Sequence, residues 1–145
     1  MAAGRGQAAA LTLPLRTPED IVRMRQAVRE QSMALGFSLV DQTKLVTAAT
    51  ELARGGDELG HNTIIYGGGG SVTLEAISEA ARRGLRLSFA DQGPGIPDIE
   101  LALKDGYTSG SGLGLGLGGA KRLCNEFTID SAPGRGTRVV VTRWR

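Results

Sequence analysis

The sequence predicts a two-layer α/β sandwich, a mixed β-sheet covered on one face by about three helices. Three observations predict it. Two capped segments with helical periodicity lie in the first third of the chain. Strand-like segments flank turn signals through the remainder. Most of the 22 glycines fall in two clusters, between Gly55 and Gly70 and between Gly106 and Gly119. The chain of 145 residues, 41% apolar, is long enough for one domain with a real core.

The elements follow in order. Met1 to Ala10 is small and weakly basic, lacks the apolar stretch of a secretory signal, and reads as a disordered leader. A single domain is expected over residues 11–145. Leu11-Thr12-Leu13-Pro14-Leu15 alternates, and Pro14 makes it an edge strand because proline cannot donate to a ladder. Thr17-Pro18-Glu19-Asp20 opens a helix: an N-cap, a proline at the first position, then acids in the first turn. Ile21, Met24, Val28 and Leu35 share one face of it, and Gly36 ends it, with Phe37 covering the last turn. Ser38 and Asp41 start a second helix, with Leu45, Ala49 and Leu52 on its apolar side, reaching at least Arg54. Residues 72–77 and 85–91 read as an antiparallel pair of strands with a turn marked by Gly84. A short helix is expected near Asp98 to Leu103, then a glycine-rich loop from Asp105 to Gly119 and a helix to about Glu126. Residues 127–130 and 137–142 close the chain as strands around a Pro133-Gly134 turn.

Composition excludes several functions. No apolar run approaches the length of a membrane-spanning helix, so no membrane association is expected. One cysteine, Cys124, forms no internal disulfide framework and fits a reducing cytoplasm. It reads as a core thiol on the helix after the glycine-rich loop. A net charge of +2 does not by itself imply nucleic acid, and no nucleic-acid partner is expected. His61 is the only histidine, with no cysteine nearby to complete a transition-metal site.

Four glycine or acidic motifs carry chemistry. Asp91-Gln92-Gly93-Pro94-Gly95 follows a strand, where a carboxylate can accept from a ligand while glycines let backbone approach; alone, it is equally a plain turn. In Gly110 to Gly119, alternating glycines free many backbone N–H groups to face one anion, and the interleaved leucines argue against a solvated linker. Gly114, Gly116 and Gly119 formally match a dinucleotide fingerprint, but no apolar strand precedes them and too little chain follows. No P-loop pattern occurs. Gly134-Arg135-Gly136-Thr137 enters the last strand, and Glu51 lies on the second helix. Each of these last two is unremarkable in isolation.

In this order and spacing, the four motifs resemble the ATPase fold shared by histidine kinases, gyrase B and Hsp90, the Bergerat-type ATP-binding fold. Within it the chain is similar to the anti-sigma-regulatory serine/threonine kinases, most of all the small stressosome switch kinases. The resemblance runs from about Leu11 to Arg145. It implies that Asp91 accepts from the adenine amino group, that Gly93 and Gly95 let backbone approach the base, and that Thr137 supports the adenine side. It further implies that Gly112, Gly114 and Gly116 form a lid over the phosphates and that Glu51 is the general base for the acceptor hydroxyl. The implied cofactors are ATP and Mg²⁺. The implied partner is a STAS-type antagonist or scaffold protein as substrate, with a downstream phosphatase or sigma regulator beyond it, in a cytoplasmic stress-response switch.

One departure from that pattern has consequences. The family places a Mg²⁺-binding asparagine four residues after the helical glutamate, where this chain has Gly55. Removing Gly55 to His61 would bring Asn62 to that place and restore Glu-x-x-x-Asn, so these seven residues read as an insertion. In a continuous helix they would displace Asn62 by about 10 Å. Three glycines in the insertion, each costing about 1 kcal/mol in a helix, favour a looped-out segment that returns Asn62 as the metal ligand. Asp57 or Glu58 is the alternative ligand. The alternative function is a catalytically impaired ATP- or protein-binding regulatory module.

Overall fold

The computed structural model describes residues 10–54, 70–91, 116–131 and 136–145. In chain order these form β1 (Leu11–Leu15), α1 (Pro18–Ala34), α2 (Leu39–Arg54), β2 (Gly70–Glu79), β3 (Arg82–Asp91), α3 (Gly116–Arg122), β4 (Glu126–Ser131) and β5 (Thr137–Trp144). The expected short helix at 98–103 and the Pro133-Gly134 turn lie outside the described residues.

Local signals set the ends of α1. The Thr17 hydroxyl accepts from the Asp20 N–H at 3.2 Å, and the Asp20 carboxylate accepts from the Thr17 and Arg16 N–H groups at 3.1 and 2.9 Å. This capping box satisfies donors that the first turn would otherwise leave orphaned. At the other end Gly36 sits at φ 88°, where L side chains are strained. The Gly36 N–H donates to the Met33 carbonyl and the Phe37 N–H to the Ser32 carbonyl, the paired bonds of a Schellman stop, with Phe37 buried over the turn. The Ser38 hydroxyl then accepts from the Asp41 N–H and starts α2.

The five strands are ordered β1-β2-β3-β5-β4, and all four neighbouring pairs are antiparallel. The expected mixed sheet is therefore antiparallel throughout the described strands. β3 and β4 do run in the same direction, as a strand–helix–strand connection requires, but β5 inserts between them and pairs with both. β1 is an edge strand, as Pro14 demands.

One face of the sheet is covered. Val72 and Leu74 of β2, Leu85, Leu87 and Phe89 of β3, and Val139 and Val141 of β5 alternate onto it. They meet Met24 and Val28 of α1 and Leu45, Ala49 and Leu52 of α2 in one buried core. The opposite face is polar, with the Thr12 and Thr73 hydroxyls 2.9 Å apart and Arg86 paired to Glu75 at 3.3 Å.

Three local expectations are corrected. Gly84 makes no turn: it lies within β3 opposite Trp144, and a Cβ there would come within 2.8 Å of the Trp144 ring. Its glycine makes room for an aromatic 60 residues away in sequence, and the reversal falls at Ala80, at φ 53°. The glycine-rich segment turns helical already at Gly116, because α3 lies against α2 and buries Gly119 and Ala120 there. Finally, α3 ends at Arg122 instead of near Glu126, where β4 begins; Cys124 thus lies in the connection, half-buried against the core. Burial pushes its thiol up to about 12, so it stays protonated.

Candidate functional site

The apolar stripe of β3 ends in a carboxylate. Asp91 continues the series Leu85, Leu87, Phe89 onto the helix-facing side and is only 4% exposed. On the neighbouring strand Thr137 continues Val139 and Val141 onto the same side and is 5% exposed. The two are direct register partners. Side chains so paired have Cβ atoms about 5 Å apart. A buried carboxylate and hydroxyl are costly in an apolar layer unless they are engaged, and neither stands without an interaction in the chain.

On its other side Asp91 is paired with Gly70, the first residue of β2. Gly70 places no side chain beside Asp91. Across the end of the sheet the row therefore reads Gly70, Asp91, Thr137, Ser131: a missing side chain, an acceptor and a hydroxyl, with Ser131 in register beside Thr137. Gly70 escaped sequence reading because it was the last of four consecutive glycines and carried no motif. Its register opposite Asp91 is the signal, and register is a tertiary property.

Glu51 lies half-buried in the last turn of α2. The first turn of α2 is tied to the far end of β5, where Arg143 donates to Asp41 at 2.6 Å. From Asp41 the helix advances about 15 Å to Glu51, while β5 covers about 20 Å between Arg143 and Thr137. The same arginine donates to the Leu123 carbonyl at 2.7 Å, just past the end of α3. The guanidinium beside Asp41 holds its carboxyl below the usual range, chiefly through their hydrogen bond.

Of the predicted site residues, Glu51, Asp91, Gly116 and Thr137 are described, and the structure brings Asp91 and Thr137 together. Gly93, Gly95, Gly112, Gly114 and Asn62 lie outside the described residues, as does the Gly55–His61 insertion that follows the end of α2. Among the described residues no cluster of three or more His, Cys, Asp or Glu side chains could hold a metal, and no helix is long and apolar enough to cross a membrane.

Two kinds of similarity bear on this arrangement. Residues 40–144 match the family described as histidine kinase-, DNA gyrase B-, and HSP90-like ATPase, a span that includes Glu51, Asp91 and Thr137. The chain is 41% identical over 128 residues, 88% of its own length and 91% of the relative's, to the serine/threonine-protein kinase RsbT of Bacillus subtilis. It is 33% identical over 88 residues to the anti-sigma F factor of Clostridium acetobutylicum, covering 57% of this chain and 60% of that one. A buried acceptor and hydroxyl at the ends of adjacent strands and these similarities agree: the chain belongs to the histidine kinase-, DNA gyrase B- and HSP90-like ATPase family, on the branch of its serine/threonine-protein kinases.

Proposed function

We propose that this kinase transfers the γ-phosphoryl group of ATP to a serine or threonine hydroxyl on a STAS-type antagonist or scaffold protein, as the switching step of an anti-sigma stress response in the cytoplasm. The single observation that supports it most is the register pairing of buried Asp91 with buried Thr137. An ionised carboxylate only accepts hydrogen bonds, which suits the exocyclic amino group of adenine, and the threonine hydroxyl can both donate and accept beside it. Gly70 leaves the flank of Asp91 free of a side chain for a flat base.

Each residue has a part in the reading. Asp91 and Thr137 hold the base, with Gly93 and Gly95 allowing backbone to approach it. Gly112, Gly114 and Gly116 face backbone N–H groups toward the phosphates. Glu51 orients the acceptor hydroxyl and takes its proton as that oxygen bonds to phosphorus and ADP departs. Mg²⁺, when bound, neutralises phosphate charge, and Asn62 is its ligand in this reading.

Phosphate transfer from radiolabelled ATP to a co-purified partner protein tests the proposal. The wild-type chain labels the partner on serine or threonine. Glu51→Gln retains ATP affinity but loses at least about a hundredfold in transfer rate, the scale of a general base. A Glu51→Gln variant that labels at the wild-type rate moves the base elsewhere. A wild-type protein that binds ATP without labelling supports the second reading, a regulatory module. That reading draws on the insertion at Gly55, immediately after the last residue of α2.

A further inference from the structure

α1 carries a second stripe on the side away from the core. Val22 is 62% and Met33 56% exposed, although both are large and apolar. With Gln26 and Arg29 between them, the spacing is four, three and four residues, that of the seam in paired helices. At about 100° per residue these four lie within about 60° of one another, opposite buried Met24 and Val28. A groove of about 410 Å³ runs along the stripe, lined also by Arg25 and Glu30. All six lining residues are exposed.

The charges on this face decide what fits it. Arg23, on the flank, is tied to Asp20 at 2.8 Å. The guanidiniums of Arg25 and Arg29 have no ion pair or hydrogen bond among the described residues. Two unpaired cations between two exposed apolar side chains complement a ligand that is anionic at its centre and apolar at its ends. A second copy of α1 laid antiparallel would set Val22 against the other Met33, but it would also bring four unpaired guanidiniums into one seam, and like charges across an interface are unfavourable. An anionic bilayer lying along the stripe would meet the Glu30 carboxylate in the same groove. We infer that this face docks an acidic amphipathic helix of a partner protein, with apolar residues over Val22 and Met33 and carboxylates against Arg25 and Arg29. Helix-in-groove recognition uses anchors at this spacing. The surface uses none of the residues assigned to the nucleotide, so its test is made without one.

The test is fluorescence anisotropy with a labelled, stapled helical peptide of about 18 residues, long enough to span the stripe. The peptide carries two leucines eleven residues apart and glutamates four and seven residues after the first leucine, on an alanine and glutamine background. A control peptide has lysines in place of those glutamates. Wild type is expected to bind the glutamate peptide at least about tenfold more tightly than the lysine peptide. Arg25→Glu with Arg29→Glu reverses that preference, and Val22→Ser with Met33→Ser weakens the glutamate peptide at least about tenfold. The four sites are exposed, so urea midpoints close to wild type are expected. If one double variant does not fold, the other decides alone. Equal affinity of wild type for the two peptides, no binding of the glutamate peptide, or binding unaltered in a folded double variant overturns the inference. A wild-type dimer in sedimentation that is lost in Val22→Ser with Met33→Ser overturns it in favour of a second copy. Flotation with phosphatidylserine–phosphatidylcholine vesicles that needs the same residues overturns it in favour of a bilayer.

Discussion

Replacing Asp91 with asparagine changes one atom of the proposed base site from acceptor to donor and leaves its shape intact. The site is dry, with Asp91 at 4% and Thr137 at 5% exposure, so a hydrogen bond lost there is not replaced by bulk water. A hydrogen bond to a charged partner contributes about 1.5–3 kcal/mol, and a buried group left mismatched costs about 1–3 kcal/mol. Taking 1–3 kcal/mol, ATP affinity falls about 5- to 150-fold, at 1.4 kcal/mol per decade. The sign reverses for inosine triphosphate. Its base presents a carbonyl where adenine presents an amino group; a carboxylate repels that oxygen, whereas the asparagine amide donates to it. Asp91→Asn thus lowers ATP affinity, raises inosine triphosphate affinity and shrinks their ratio by more than either change alone. The substitution is isosteric, and any loss of the interaction that Asp91 makes within the chain is read separately from the urea midpoint. Calorimetry with both nucleotides, on protein whose urea midpoint is unchanged, is the assay. An ATP-to-inosine-triphosphate ratio equal to that of wild type refutes the placement of Asp91 at the amino edge.

Three further outcomes follow from local features. Gly36→Ala forces an L residue to φ 88° and brings its Cβ within 2.8 Å of the Arg145 Nε, which donates to the Gly36 carbonyl; a loss of about 1–3 kcal/mol in urea unfolding is expected, and none would mean the turn relaxes freely. Asp41 has its folded-state carboxyl held below the ordinary 3.8 by Arg143, so its contribution is complete above that value and is lost as pH falls through the folded one. Asp41→Asn should therefore be less stable than wild type at neutral pH and converge with it in acid, and a gap that persists at pH 2 would contradict the linkage. Deleting Gly55 to His61 places Asn62 four residues after Glu51; if the insertion impairs the site, magnesium-dependent ATP binding and transfer increase, and a folded deletion variant with neither shows that Asn62 is not the ligand.

The elements whose causes are local were legible in the residues themselves. Thr17, Pro18 and Asp20 cap α1 through partners no more than four residues away, and Gly36 and Phe37 stop it within one turn, so the pattern of types and the structure coincide. The edge position of β1 also followed from a local fact, the missing N–H of Pro14. The motif set that suggested the family was legible for a related reason: the order of Glu51, Asp91 and Thr137 is a property of the contiguous chain. Where a residue answers to a distant neighbour, its type alone misled. Gly84 has the composition of a turn but serves the Trp144 ring; Gly119 has the composition of a loop but is buried in a helix that lies against α2. Strand order was likewise beyond local reading. Nothing within residues 126–144 says that β5, rather than β4, pairs with β3, yet that insertion is what sets Thr137 beside Asp91 and Arg143 between α2 and α3. Capping and periodicity act over a few residues of contiguous chain, whereas pairing, close approach and the bridging of helix ends are decided by which surfaces the collapsed chain brings into contact.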